Sequence, residues 1–222
     1  AFFDRQLRQW RARALWFGHQ LDDIAETMFM RIARGSGLGG LAAPRPIQRM
    51  PDHRMHLRPL LTLGKVDLVA ILQECGIPWR EDKSNAESRF FRNRIRHEVI
   101  PAWQAACGGR DALAGAGLSR ELIDEDDQAL EAWVAEVAPI ARDGSLNLMR
   151  LAGKPRGFIR RALRLWLTRQ QIGLRISRQA FNAVVNDLQA QRLTRHSLDR
   201  FHFLVIGKRF ARITRVPRKI SN

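Results

Sequence analysis

Residues 18–41, GHQLDDIAETMFMRIARGSGLGGL, bring a histidine, three carboxylates and five glycines into one short stretch. If a helix starts near Asp22, then Asp22 and Glu26 stand one turn apart on one face with Asp23 alongside. Carboxylates so placed can hold Mg²⁺ on a triphosphate, and a neighbouring His19 can donate to a phosphate oxygen. The same residues also suit an ordinary helix start, where acidic side chains favour the macrodipole; spacing alone leaves both readings open. Gly35-Ser-Gly-Leu-Gly-Gly40 fits the dinucleotide pattern G-x-G-x-x-G. That pattern works only when it follows a strand and opens a helix. Here the glycines close a helix, so they read as a helix stop with a mobile loop.

The elements that must position these residues follow from periodicity. Residues 2–13 read as the end of an amphipathic helix, and Ala14–Phe17 as a short buried strand. From Asp22 the pattern becomes helical, with Ile24, Met28 and Ile32 on a buried face and Phe29 beside them. A Pro-containing loop over 43–56 leads to the strand end HLRPLL, in which the residue before Pro59 must be extended. Thr62 is a candidate cap for a helix through KVDLVAILQEC, closed by Gly76, and IPWRED reads as a further strand. Strands alternating with helices at this spacing predict a parallel α/β sheet, with ligands at the strand ends.

After Pro101 the pattern changes. An acidic helix is expected over 119–141, then basic helices near 154–171 and 177–191, and a terminal β-hairpin around Gly207-Lys208. The predicted organisation is an α/β domain over 1–104, a Gly/Ala-rich joint over 105–118, and a mainly helical basic domain over 119–222. The net charge is +16, and residues 1–141 contribute none of it, holding 19 basic and 19 acidic residues. Residues 142–222 hold 19 basic residues against Asp143, Asp187 and Asp199. Such asymmetry suits a polyanionic partner, because each neutralised phosphate releases counterions; an arginine-rich solvated surface is the alternative. No apolar run is long enough to span a bilayer and no signal peptide is read. Cys75 and Cys107 form no metal or disulfide pattern, and a cytoplasmic setting is expected.

The 18–41 segment resembles the H-x-x-D-D-x-x-E-T segment of tRNA(Ile)-lysidine synthases, members of the N-type ATP pyrophosphatase (PP-loop) superfamily. LRPLL (57–61), WREDKSN (79–85) and FRNRIRHEVIPAW (91–103) follow in that family's order and approximate spacing. The resemblance implies a PP-loop domain that uses ATP and Mg²⁺. It sets His19, Asp22, Asp23, Glu26 and Thr27 beside the ATP phosphates, with Asp22 and Asp23 as the metal ligands. Arg58 matches an arginine of the adenylation step, and Asp82 and Asn85 match the segment that receives the substrate lysine. Arg92, Asn93, Arg94 and Arg96 match R-N-x-[IL]-R, expected to grip phosphate or tRNA, and Arg160, Arg161 and Arg164 are expected to contact tRNA from the basic domain. A capped turn for 82–85 and a solvated basic helix for 92–96 are the plainer readings of the same residues.

The implied reaction has ATP adenylate the C2 carbonyl oxygen of the wobble cytidine of an isoleucine tRNA with a CAU anticodon, after which free L-lysine displaces AMP. A homodimer is compatible with this reading. The superfamily's S-G-G-x-D-S loop is not found in the 222 residues, so the chain is expected to begin partway through the nucleotide domain and to be inactive alone. The alternatives are a noncatalytic RNA-binding remnant and a PP-loop tRNA thiolase, although thiolases commonly use paired cysteines.

Overall fold

The computed structural model describes residues 2–50, 54–80, 89–170 and 176–215. The chain divides into two compact units, Ala1–Asp127 and Gln128–Asn222. In the first, helix α1 (Phe2–Gln9) precedes strand β1 (Ala14–Trp16), and helix α2 (Leu21–Ala33) follows after a short turn. A single-turn helix α3 (Leu38–Leu41) leads to β2 (Ile47–Arg49), β3 (Met55–Leu57) and α4 (Lys65–Glu74). The sheet order is β1-β3-β2, with β1 parallel to β3 and β2 antiparallel to it. It is therefore mixed: β2 forms within the stretch expected to be a loop. IPWRED forms no strand over 77–80; Ile77 and Trp79 are exposed there, so no buried face rewards extension. Its last residues, Glu81 and Asp82, lie outside the described residues.

Gly35 adopts φ +66° and ends α2, as expected, but α3 occupies the glycine-rich stretch beyond it. Ile24, Ala25, Met28 and Phe29 pack in the core of this unit, whereas Ile32 is exposed because the last turn of α2 runs past its cover. The N-cap of α4 is Gly64 rather than Thr62. Beyond it, α5 (Phe91–Arg94), a π-helical turn (Ile95–Val99) and α6 (Ile100–Ala106) form one helical run. Pro101 accounts for the wide turn, since its ring would collide with the carbonyl four residues back, that of His97.

Helix α7 (Ala112–Val137) begins inside the stretch expected to be a joint. Alanine favours helix, and Asp111 Oδ1 accepts the Ala114 N–H at 2.9 Å. A Cβ at Gly117 would meet Leu21 Cδ1 at 2.9 Å, so this glycine permits close packing. In the second unit, α8 (Arg156–Arg169) and α9 (Arg178–Gln189) pack together beside an antiparallel sheet. Its order is β4 (Leu146–Asn147), β7 (Phe210–Arg215), β6 (His202–Ile206), β5 (Thr194–Ser197). The β6–β7 hairpin matches expectation, while β4 and β5 extend it beyond what the pattern announced.

The core of this unit centres on Trp166, Phe158, Leu163, Val184 and Leu204. Trp166 Nε1 donates to the Gly144 carbonyl at 2.7 Å, and Gln170 Nε2 donates to the same oxygen at 2.8 Å. Trp166→Ala is expected to lower stability by about 3–5 kcal/mol through the cavity it leaves. Trp166→Phe should cost about 1–2 kcal/mol, because Gln170 still serves the carbonyl. Denaturant unfolding followed by circular dichroism separates the two; equal losses would show that the indole volume is not what holds this core.

Candidate functional site

Two sets of ionic contacts build the site in the first unit. Glu26 is 1% exposed, and a carboxylate removed that far from water needs full compensation. Arg96 Nε donates to its Oε1 at 2.5 Å and Arg92 Nε to its Oε2 at 2.6 Å. Arg92 Nη2 also donates to Asp23 Oδ1, while Asp23 Oδ2 accepts the Gln20 N–H at 2.8 Å. The bond to Glu26 is the main reason the Arg96 guanidinium is held above its ordinary pKa. These contacts tie the start of α2 to the α5–α6 run and fix the turn that carries His19.

The carboxylates grouped by spacing thus have separate tasks. Asp23 has both oxygens hydrogen-bonded, as does Glu26. Asp22 Oδ2 accepts the Lys65 N–H at 2.8 Å, capping α4, and its other oxygen accepts no hydrogen bond among the described residues. No three His, Cys, Asp or Glu side chains converge as a metal site among the described residues. Asp23, expected with Asp22 as a Mg²⁺ ligand, has its oxygens engaged by Arg92 and the Gln20 amide. Arg92 and Arg96, expected to grip phosphate, are turned onto Asp23 and Glu26, with Asn93 buried in the same helical turn.

The second set surrounds a cavity of about 310 Å³ lined by His19, Thr27, Arg31, Gly39, Ala43, Pro44, Arg45, Gln48 and Arg58. Arg58 is buried; its Nε donates to His19 Nδ1 at 3.0 Å and its Nη1 to the Arg45 carbonyl at 2.9 Å. Its guanidinium carbon lies 5.1 Å from the Phe17 ring centroid, and Phe17 stacks on His19 at 5.3 Å. Arg45 Nε bonds Asp124 Oδ1 at 2.6 Å and Nη2 bonds Asp127 Oδ2 at 2.7 Å. Among the described residues, neither Arg31 nor Arg58 has a carboxylate partner.

Burial is the main cause that lowers the His19 pKa; Asp23 opposes it, and the Arg58 and Arg92 charges act with it. The ring is therefore neutral at pH 7. Because the arginine Nε can only donate, His19 Nδ1 is the acceptor and the proton resides on Nε2. Burial also pulls the Arg58 guanidinium below its ordinary value, yet arginine remains charged.

The structure thus brings His19, Thr27 and Arg58 to one cavity, sets Asp23, Glu26, Arg92 and Arg96 in an ionic framework, and leaves Asp22 as the cap of α4. Asp82 and Asn85 lie outside the described residues. In the second unit, Arg160 Nη1 bonds Asn182 Oδ1 at 3.0 Å, Arg161 approaches Glu131 at 4.0 Å, and Arg164 is exposed with its guanidinium over Phe181. Sequence reasoning missed Arg31, Arg45 and the Asp124–Asp127 pair. The A-P-R-P run was a usable signal for Arg45, since prolines on both sides stiffen the backbone that presents it.

Residues 1–103 match the family model described as a PP-loop domain. The chain is 36% identical over 172 residues to the tRNA(Ile)-lysidine synthase of Geobacter sulfurreducens, covering 74% of this chain and 35% of that protein. It is 38% identical over 154 residues to the tRNA(Ile)-lysidine synthase of Nocardia farcinica, covering 68% and 46%. With the namesake from Aromatoleum aromaticum it shares 44% over 138 residues, covering 60% and 32%. The chain thus spans about a third to a half of the length of these relatives. It belongs to the tRNA(Ile)-lysidine synthase family of the PP-loop superfamily.

Proposed function

We propose that this chain takes part in ATP-dependent lysidine formation on an isoleucine tRNA, with the 310 Å³ cavity of the first unit receiving the charged end of the reaction. The observation that carries this reading is the buried Arg58, which donates to His19, the histidine of H-x-x-D-D-x-x-E-T, at a cavity that Arg31 also lines. Cations without carboxylate partners facing a cavity favour an anion there, and low local polarity strengthens the attraction. Thr27 and the His19 Nε2–H add neutral donors. The roles follow: Arg58 and Arg31 oppose negative charge as pyrophosphate departs, and His19 donates to a phosphate oxygen without titrating.

Mg²⁺ would supply further neutralisation on the triphosphate, and Asp22, one of whose oxygens accepts no hydrogen bond among the described residues, is the side chain suited to reach it. Asp23 and Glu26 act instead by holding α2 and the α5–α6 run in register. Asp82 and Asn85 are proposed to receive the lysine ammonium, for which a carboxylate is the natural partner. The tRNA would be held by the basic second unit, Gln128–Asn222. The cytoplasm, where tRNA and ATP meet, is the compartment this implies; among the described residues no helix is long and apolar enough to cross a membrane.

Three measurements test the proposal. Arg58→Lys cannot serve His19 and the Arg45 carbonyl with one planar fork; ATP affinity of the chain, read by equilibrium dialysis, should fall about tenfold or more. Unchanged affinity would remove the cavity from the nucleotide site.

Binding of isoleucine tRNA should weaken steeply as salt rises, with a linear log–log slope. Arg164→Ala should reduce that slope by about one, and Arg160→Ala by less because Asn182 already holds that guanidinium. A flat salt profile would sink the tRNA assignment.

A histidine whose pKa is lowered by folding leaves stability intact above its unfolded value of about 6.5 and destabilises as pH falls below it. The melting temperature should therefore drop on acidification from about pH 7.5 to about pH 5.5. His19→Asn, which keeps an acceptor for Arg58, should make that drop smaller. An identical drop in the variant would place the acid sensitivity elsewhere.

A further inference from the structure

The four-stranded sheet of the second unit has one face on the core, through Leu204, Ile206 and Ala211, and another turned outward. Cross-strand register places Arg195, Val205 and Arg212 in one row of that outer face. Ser197, Phe203 and Thr214 form the next row, and Arg195, Ser197, Arg212 and Thr214 are exposed. Each arginine of the row lies over a ring: Arg195 Cζ is 3.8 Å from the Phe203 centroid, and Arg212 Cζ is 5.7 Å from that of Phe210. Among the described residues, the carboxylate that touches the row is Asp143, at 3.4 Å from Arg212 Nη2, with both side chains more than half exposed.

A guanidinium resting on a phenyl ring has already lost much of its rotamer freedom and presents a flat cationic surface outward. Such planes, interleaved with aromatic rings on an open sheet, suit unstacked nucleobases, while a duplex keeps its bases stacked and paired. The charge agrees, because residues 142–222 hold 19 basic residues against three acidic ones. We propose that the outer face of this sheet binds an unpaired stretch of RNA, with bases stacking on Arg195 and Arg212 and the backbone meeting the surrounding positive charge. This rests on the tRNA reading above and deepens it: the second unit recognises single-stranded nucleotides in addition to duplex phosphates.

The test is fluorescence anisotropy on the whole chain with a short single-stranded RNA, a duplex of the same length, and isoleucine tRNA. The parent should prefer the single strand to the duplex. The double variant Arg195→Lys/Arg212→Lys keeps the charge and removes the planes; its affinity for the single strand should fall about tenfold or more, with duplex binding changed less than about twofold. Thr214→Glu, which puts a carboxylate on the same exposed face, should also weaken the single strand selectively. Unaltered melting curves would show that the variants fold, and if the double variant melts early, Thr214→Glu alone decides. The proposal is overturned if the parent binds duplex as tightly as single strand, or if the folded variants keep parental single-strand affinity. Either result with tRNA binding intact removes this face and leaves the tRNA reading standing, whereas a parent that binds no tRNA overturns both.

Discussion

The Glu26 carboxylate sits almost wholly out of water, where a lone negative charge would cost several kcal/mol. It is tolerated because Arg96 donates to both of its oxygens and Arg92, one helical turn away, to Oε2. That geometry requires the α5–α6 run to pack against α2 in one register only. Arg92 also reaches Asp23, and Asp23 holds the Gln20 amide, so the same ionic set fixes the turn between β1 and α2. His19 lies in that turn. Its place beside Arg58 follows from a buried charge that touches neither residue.

A second constraint reaches the cavity from α7. Asp124 and Asp127 hold the Arg45 guanidinium, and the Arg45 carbonyl accepts from Arg58 Nη1, which itself donates to His19 through Nε. The order of these contacts explains an otherwise odd division of charge. Arg45 faces the cavity already neutralised and acts through its backbone, while Arg58 and Arg31 keep their charge available. Gly39 belongs to the same arrangement, since a Cβ there would stand 3.2 Å from the Asp127 carboxylate oxygens.

How much was legible in the sequence follows the range of the interactions. α2, the Gly35 stop, α8, α9 and the β6–β7 hairpin depend on local periodicity and capping, and the pattern predicts them; β1 forms where expected, but it is not the buried strand its apolar run implies, since Trp16 is exposed. Strand β2 was illegible because its three residues are exposed and exist through pairing with β3. The beginning of α7 was misread because Gly and Ala resemble a joint by composition, whereas Gly117 is there to let Leu21 approach. At the site, spacing located the residues but not their tasks: Asp22, Asp23 and Glu26 share a motif, yet their partners are 43, 69 and 66 residues away in the chain. Proximity of that kind is set by tertiary packing, and no period reports it.

The same distinction bears on charge. Counting predicts a neutral first part and a strongly cationic second part, but it cannot say which arginines remain available to a ligand. In the first unit Arg45, Arg92 and Arg96 are compensated by buried carboxylates, so an overall neutral balance coexists with a cationic cavity at Arg31 and Arg58. In the second unit acids are fewer, and several arginines are held by other means: Arg160 by an amide, Arg164 and Arg195 by aromatic rings, and Arg212 between the Phe210 ring and the exposed Asp143. A ring fixes a guanidinium without cancelling its charge. Basic surface is thereby ordered while its attraction for phosphate is kept, which ion pairing could not achieve.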